Sequence, residues 1–170
     1  MSEILAAQYT ELYGINFTAL RPTIAFGHGG RTPLMIKNYS DLVSLPAVGK
    51  PFSIGEDGTS QISLFTPDDI GAFTRLLLHV DASPHPAYNI GGPPTSMRQV
   101  ADAVRKYIPD AKINFGNIPP PEDRGKFGIP WRASSERASQ DFSYSLLTVE
   151  EAVLIHINDA RSEAGLEIIK

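Results

Sequence analysis

Residues that could do chemistry are few in this 170-residue chain, and they form no familiar catalytic set. Its histidines are His28, His79, His85 and His156, and none of them has the i, i+4 spacing of a helical metal pair. The chain has no cysteine, which excludes thiolate metal sites and disulfide bonds. Neither a G-x-S-x-G elbow nor a Ser/His/Asp pattern is visible. We therefore predict no metal site and no catalytic residue in this chain.

The stretch LRPTIAFGHGGRTP, residues 20–33, has the pattern of an apolar strand that runs into a glycine-rich loop. Ligands of open α/β sheets bind beyond the carboxyl ends of parallel strands, so this is a candidate cleft position. The segment GHGG lacks the spacing of a dinucleotide fingerprint, so the loop carries no phosphate-binding signature. His28 lies in this loop and is a candidate ligand contact. A turn that binds nothing is the alternative interpretation.

Composition indicates one globular unit spanning residues 1–170. Apolar residues make up 42% of the chain and charged residues 20%, and the net charge is -4. An acidic balance disfavours a nucleic-acid partner, which usually selects a basic face. No window approaches the 18 apolar residues of a membrane span, and the first residues do not resemble a signal peptide. We expect a cytoplasmic protein without a membrane partner.

Helix and strand signals alternate along the chain, which predicts an α/β fold with a mostly parallel sheet. Helices are predicted at 2–13 and 34–43 and from Thr66, Ser96 and Thr148 onward, and strands at 15–21, 50–55, 60–66, 87–92 and 111–116. Residues 117–133 are predicted to be a long proline-rich loop. The chain begins with a helix and contains few strands, whereas a parallel sheet needs both of its faces covered. The sequence therefore indicates part of a larger fold.

Helix starts are marked by Ser or Thr followed three residues later by a side chain that can reach back to the backbone. These pairs are Thr66 with Asp69, Ser96 with Gln99 and Thr148 with Glu151. The pattern favours a structural role for Thr66 and Asp69 over a functional one, with a cap worth about 1 kcal/mol.

Four segments occur in an order that resembles a known family. They are SEILAAQYTELYGINFTALRPTIAFGHGG, GKPFSIGEDGTSQISLFTPDDIGAFTRLLL, AYNIGG and SMRQVADAVRKYIP. Together they are similar to the C-terminal half of extended short-chain dehydrogenase/reductases, the NAD(P)-dependent epimerase/dehydratase family. The resemblance covers Ser2 to Gly116 and continues more loosely to the final helix. It implies a partial Rossmann-like (doubly wound) fold, made of the C-terminal strands plus the small substrate-binding subdomain, and NAD or NADP as cofactor.

The resemblance also implies that the chemical machinery of the family lies outside this chain. In the family, a glycine fingerprint binds the dinucleotide, and a Tyr-x-x-x-Lys pair supplies the general acid/base. Glu3 looks like the family's glutamate four residues after that lysine, which would place the pair just before Met1. Tyr9 and Tyr13 do not replace it, because neither has a lysine four residues later. We therefore expect no stable NAD(P) binding by this chain alone.

By the same resemblance, Pro22, Thr23 and Ile24 would contact the nicotinamide end of the cofactor, largely through backbone groups. The substrate-binding candidates are Phe26, His28, Arg31, Phe52, Ile62, Arg124 and Arg132. A small-molecule substrate is implied, either sugar-like or another hydroxy or carbonyl compound.

Two departures from the family pattern argue against a standard UDP-sugar substrate. Ile24 stands where the family often has asparagine, and an isoleucine side chain cannot hydrogen-bond. Ile62 stands where nucleotide-sugar members have an arginine that clamps the diphosphate, and it is followed by Ser63 where aspartate is common. An arginine fork is hard to replace for phosphate recognition. Arg31, Arg124 and Arg132 are the candidate substitutes.

Two functions remain open from the sequence. The chain could be the substrate-binding half of an NAD(P)-dependent epimerase, dehydratase or reductase, or a non-catalytic binding or assembly module derived from that fold. The resemblance implies either a homodimer through the first helix, with Leu5, Tyr9 and Leu12 on its apolar side, or contact with an N-terminal half. A self-contained hydrolase or metal enzyme is disfavoured by the missing constellations.

Overall fold

The computed structural model describes residues 2–30, 34–120 and 132–170 of the chain. In chain order, the elements are α1 (Ser2–Tyr13), β1 (Ala19–Pro22), β2 (Ile24–Ala25), α2 (Leu34–Ala47), β3 (Phe52–Glu56), β4 (Gln61–Phe65), α3 (Pro67–Leu77), β5 (Ala87–Ile90), β6 (Pro94–Ser96), α4 (Met97–Tyr107), β7 (Ile113–Ile118), α5 (Glu136–Phe142) and α6 (Val149–Glu163). The alternation confirms the predicted α/β class.

Strand pairing is mostly parallel, as predicted, but it is divided among three small sheets in the described part of the chain. β1 pairs with β5 and β3 pairs with β7, both in parallel. β4 lies between β2, which is parallel to it, and β6, which is antiparallel. β3 and β4 follow each other in the chain but pair with other strands, so the turn between them connects two different sheets.

The predicted start of β1 and the predicted end of α2 were wrong. The strand expected at 15–21 begins only at Ala19, where the Ala19 amide donates to the Pro86 carbonyl at the start of the ladder with β5. Phe17 is before that ladder and stays exposed. The helix expected at 34–43 runs on to Ala47 with Pro46 inside its last turn. Leu42, Val43 and Ala47 are fully buried in the main core, and this packing favours helix beyond the predicted end.

The three predicted capping pairs are present in the structure. Thr66 Oγ1 accepts from the Asp69 amide at 3.0 Å, and Asp69 Oδ2 accepts from the Thr66 amide at 2.7 Å. The pairs that begin α4 and α6 have the same reciprocal geometry. Each cap satisfies backbone donors that the helix leaves without partners.

Two apolar clusters form the core. The larger one joins α2, α4 and α6 to β3, β4 and β7. The smaller one lies beneath β1 and β5 and is rich in aromatic side chains, with Phe73 in contact with Tyr88, Phe142 and Tyr144. α5, which the sequence did not predict, contributes Phe142 and the buried Ala138 to this second cluster.

The predicted loop at 117–133 begins later than expected, because β7 continues through Ile118. Residues 121–131, including Arg124, lie outside the described residues, and so does Arg31. Within the described ranges, no helix combines the length and hydropathy that crossing a bilayer requires.

Candidate functional site

The carboxyl ends of β1 and β5 lie side by side, and the predicted cofactor-binding residues are at this edge. Pro22 is in register with Ile90. The Thr23 amide and hydroxyl both donate to the Ile90 carbonyl, at 3.0 and 3.3 Å. A Cβ on Gly91 would lie 2.5 Å from the Thr23 methyl group, so only glycine allows the strand ends to approach this closely. Ile24 then opens β2 as the next strand along the edge.

An ion pair joins the first helix to this edge. Arg21 Nε donates to Glu3 Oε1 at 2.8 Å, and Arg21 Nη2 donates to Glu3 Oε2, which makes the pair bidentate. The hydrogen bond from Arg21 is the main cause of a lowered Glu3 pKa. Both side chains are exposed, so the pair orients α1 on β1 more than it stabilises the fold.

A cavity of about 420 Å³ opens at the carboxyl ends of β2 and β4. One wall consists of the buried side chains Phe26, Leu64 and Phe65. The opposite wall is the segment from Leu146 to Val149, which leads into α6, together with Ala152 on that helix. This volume and apolar lining are typical of small-molecule sites. We call this space the apolar cavity.

Asp69 holds the two walls of the apolar cavity together. Its Oδ2 accepts from the amide and the hydroxyl of Thr66, and its Oδ1 accepts from the Leu147 amide at 2.9 Å. The Tyr144 hydroxyl donates to the Asp69 carbonyl at 2.8 Å. Burial is the main cause of a raised Tyr144 pKa, followed by the Asp69 charge, so the phenol stays protonated. These groups hold the two walls of the cavity in place.

A hydrogen-bonded chain of side chains, which no sequence pattern predicts, lies next to the cavity. His28 Nδ1 is 2.9 Å from Ser44 Oγ, which is 2.8 Å from His156 Nε2, and His28 Nε2 contacts the Glu163 carboxylate. Burial, followed by the charge of His28, lowers the pKa of His156 to about 3, so this imidazole is neutral at physiological pH. We call these four residues the imidazole chain.

The imidazole chain ties the glycine loop to α2 and α6. It contains a serine, a histidine and a carboxylate, the residue types of a nucleophilic triad. His28 and His156 line a pocket of about 260 Å³, but Ser44 does not, so this pocket offers its Oγ no room for a substrate. Among the described residues, no three histidine, aspartate or glutamate side chains are arranged to hold a metal ion. The imidazole chain therefore connects these elements and does not present its serine to this pocket.

Comparisons with known proteins give a match in structure only. No family model matches this sequence, and no curated protein does. A partial consensus L-threonine 3-dehydrogenase superposes with a TM-score of 0.72 at 17% identity, over 94% of this chain and 53% of that one. UDP-glucose 4-epimerase from Thermotoga maritima, with UDP-glucose, gives 0.68 at 16% identity, over 95% and 51%. L-Threonine dehydrogenase from Cupriavidus necator gives 0.70 at 18%, over 95% and 52%.

The chain has the fold of the C-terminal half of an extended short-chain dehydrogenase/reductase. This confirms the partial Rossmann-like fold that the resemblance implied. The chain spans about half the length of these solved structures.

On the extended short-chain dehydrogenase/reductase fold, the predicted substrate residues occupy different environments. Phe26 lines the apolar cavity, and His28 belongs to the imidazole chain. Phe52 and Ile62 are buried in the main core, at 4% and 1% exposure, and neither lines the apolar cavity. Arg132 is exposed. Ser63, where the family often has aspartate, donates from Oγ to the Gly92 carbonyl at 2.7 Å and stabilises the strand ends.

Cavity residues that the sequence did not single out come from β4, from the turn after β5, from the segment before α6 and from α6 itself. They are Leu64, Phe65, Pro93, Leu146, Leu147, Val149 and Ala152. The capping pair at Thr66 pointed to this region, since it marks where β4 ends and α3 begins.

Proposed function

We propose that this chain is the substrate-binding half of an NAD(P)-dependent epimerase, dehydratase or reductase that acts in the cytoplasm on a small hydroxy or carbonyl compound. The supporting observation is the meeting of the carboxyl ends of β1 and β5 at Pro22 and Ile90, beside the apolar cavity. This is where open α/β folds bind their ligands. Structures with the same fold include UDP-glucuronic acid 4-epimerase from Bacillus cereus in complex with NAD, at 20% identity and a TM-score of 0.64.

In this proposal, the chain contacts only one end of the dinucleotide. Pro22, Thr23 and Ile24, at the end of β1 and the start of β2, would contact the nicotinamide. Helix N-termini favour bound anions. The two helices that begin at the apolar cavity carry acidic side chains in their first turns, Asp68 and Asp69 in α3 and Glu150 and Glu151 in α6, which disfavours a pyrophosphate there. In this proposal, the anion site comes from an N-terminal half.

In this proposal, proton transfer also comes from outside this chain. Burial and the hydrogen bond to Asp141 raise the pKa of Tyr88 to about 12. The Tyr144 pKa is raised as well, and His156 is neutral and buried. A general acid/base works best when its pKa lies near the working pH. In this proposal, the chain binds and orients the substrate, and the other half supplies the chemistry.

The first helix is suited to contact the partner half or a second copy. Leu5, Tyr9 and Leu12 are 54%, 48% and 71% exposed, and α1 has no buried residue. Apolar groups grouped on one helix and left exposed mark a contact surface.

The test is complementation. We would mix the purified chain with N-terminal halves of dehydrogenases and epimerases of this fold, each carrying the glycine fingerprint and the Tyr-x-x-x-Lys pair. We expect NAD(P) binding and oxidoreduction only in the mixture, and loss of turnover when that tyrosine is changed to phenylalanine in the added half. Absence of both signals with every half that forms a complex would refute the proposal.

The alternative is a non-catalytic binding or assembly module. It is favoured by Ile62, which is buried in the core where nucleotide-sugar members carry an arginine. This alternative predicts a soluble oligomer that binds ligand without turnover in any mixture. A chain that stays monomeric and binds no small molecule would exclude it.

A further inference from the structure

The apolar cavity has a lining that selects for one kind of ligand. We propose that it binds an uncharged apolar group, aliphatic or aryl, and that this group is the apolar part of the substrate. The second clause rests on the proposed function, whereas the first concerns the cavity alone.

The inner walls are apolar and well buried. Phe26 is 3% exposed, and Leu64 and Phe65 are 9% exposed each. Ala152 closes the inner side from α6 at 6% exposure. A space of about 420 Å³ holds about 14 water molecules at ~30 Å³ each, or a ligand with a ring and a short chain. Water in a space lined in this way is readily displaced by an apolar ligand.

Polar side chains that border the cavity are already engaged. Both carboxylate oxygens of Asp69 accept hydrogen bonds from Thr66 or Leu147. Thr95 Oγ1 donates to the Pro93 carbonyl at 3.0 Å, and Thr148 Oγ1 donates to Glu151 at 2.7 Å. A polar ligand group placed here would lose its hydration and gain few partners, which costs free energy.

Backbone groups at the cavity are engaged in the same way. The Gly92 amide donates to the Leu64 carbonyl at 2.7 Å, and the Gly92 carbonyl accepts from Ser63 Oγ. The Phe65 carbonyl accepts from the Phe26 amide at 2.7 Å. The strand ends thus leave few main-chain donors for a sugar hydroxyl.

The charges of the described lining residues disfavour an anionic ligand. No lysine, arginine or histidine is among the described residues that line the cavity. The charged group there is Asp69, and the first turns of α3 and α6 add Asp68, Glu150 and Glu151 nearby. A diphosphate or a carboxylate would be repelled, so a nucleotide sugar does not fit this space.

Entry is from the side of the β5–β6 turn. Pro93 and Thr148 are exposed at the rim, whereas Leu147 and Val149 are half-buried. The hydrogen bond from Leu147 to Asp69 fixes the rim segment against α3. A larger side chain at Val149 should therefore narrow the mouth without disturbing the inner walls.

The experiment titrates the full chain with toluene, UDP-glucose and inorganic pyrophosphate and follows methyl resonances by NMR. We expect saturable toluene shifts at Leu64, Leu147 and Val149, and none at these methyl groups from the two anions. Val149→Trp, at the rim, and Ala152→Leu, inside the cavity, should each weaken toluene binding by roughly tenfold or more, because each removes apolar volume from the site. Ser162→Trp, on the exposed side of α6, is the matched control and should bind as the parent chain does.

The outcomes separate clearly. Absence of saturable toluene shifts, shifts caused by UDP-glucose at the same methyl groups, or unchanged binding in a folded Val149→Trp or Ala152→Leu chain would overturn the inference. If one variant fails to fold, the other decides. Toluene binding without oxidoreduction in the complementation assay would keep the cavity and reject the proposed function. Oxidoreduction without toluene binding would reject the inference about the cavity and keep the proposed function.

Discussion

His156 makes the stability of this chain depend on acid in a way that a single substitution can isolate. Burial lowers its pKa to about 3 in the folded chain, whereas an unfolded histidine titrates near 6.5. As pH falls below 6.5, His156 becomes protonated in the unfolded chain but stays neutral in the folded chain. The free energy of unfolding therefore decreases as pH falls toward 3. Between pH 7 and pH 5, the free energy of unfolding decreases by about 2 kcal/mol, because one pKa unit corresponds to ~1.4 kcal/mol.

The assay is urea unfolding at pH 7 and pH 5, followed by circular dichroism. His156→Phe removes the titrating group and keeps an aromatic ring beside Phe26, whose ring centroid lies 5.3 Å from that of His156. We expect the parent chain to lose about 2 kcal/mol more than this variant between the two pH values. His79→Phe, at an exposed position, is the control and should keep the parent dependence. Equal losses in the parent chain and His156→Phe would refute the reasoning.

Other substitutions test the supporting structure, each by urea unfolding. Asp69→Ala should cost about 3 kcal/mol, because it removes three hydrogen bonds to a buried carboxylate, whereas Glu151→Ala, in an exposed capping box, should cost about 1 kcal/mol; equal costs would contradict this. Ser143 has φ 50, so Ser143→Gly should add about 0.5 kcal/mol to the free energy of unfolding, and a loss would count against strain there. Gly91→Ala should destabilise by about 2 kcal/mol through its clash with Thr23, and a neutral effect would show that the strand ends can separate.

Features set by nearby residues could be predicted from the sequence. The helix caps at Thr66, Ser96 and Thr148 depend on contacts between residues three positions apart, so the local amino-acid sequence is enough to predict them. The parallel pairing followed from the alternation of helices and strands. The start of β1 could not be predicted in this way, because β5, far along the chain, decides where the ladder begins.

The candidate site was predicted only in part for the same reason. Pro22 and Phe26 lie at strand ends, which the sequence marks. In the imidazole chain, His28 and Ser44 are 16 residues apart in sequence, and Ser44 and His156 are 112 residues apart. No local sequence pattern predicts contacts over such separations. Leu146 and Leu147 border the cavity because Asp69 binds the backbone there, which only the folded chain reveals.

The helix content of α1 should depend on whether a partner covers this helix. A helix of 12 residues is marginal in water unless it is packed, and α1 buries no side chain within the described structure. An exposed ion pair between Glu3 and Arg21 links α1 to β1. Helix content should therefore rise with the concentration of whichever partner covers α1, and part of the association free energy is consumed in ordering it. Deleting α1 would remove both its contact with the partner and the free energy needed to order it. The association free energy would change by the difference between these two contributions.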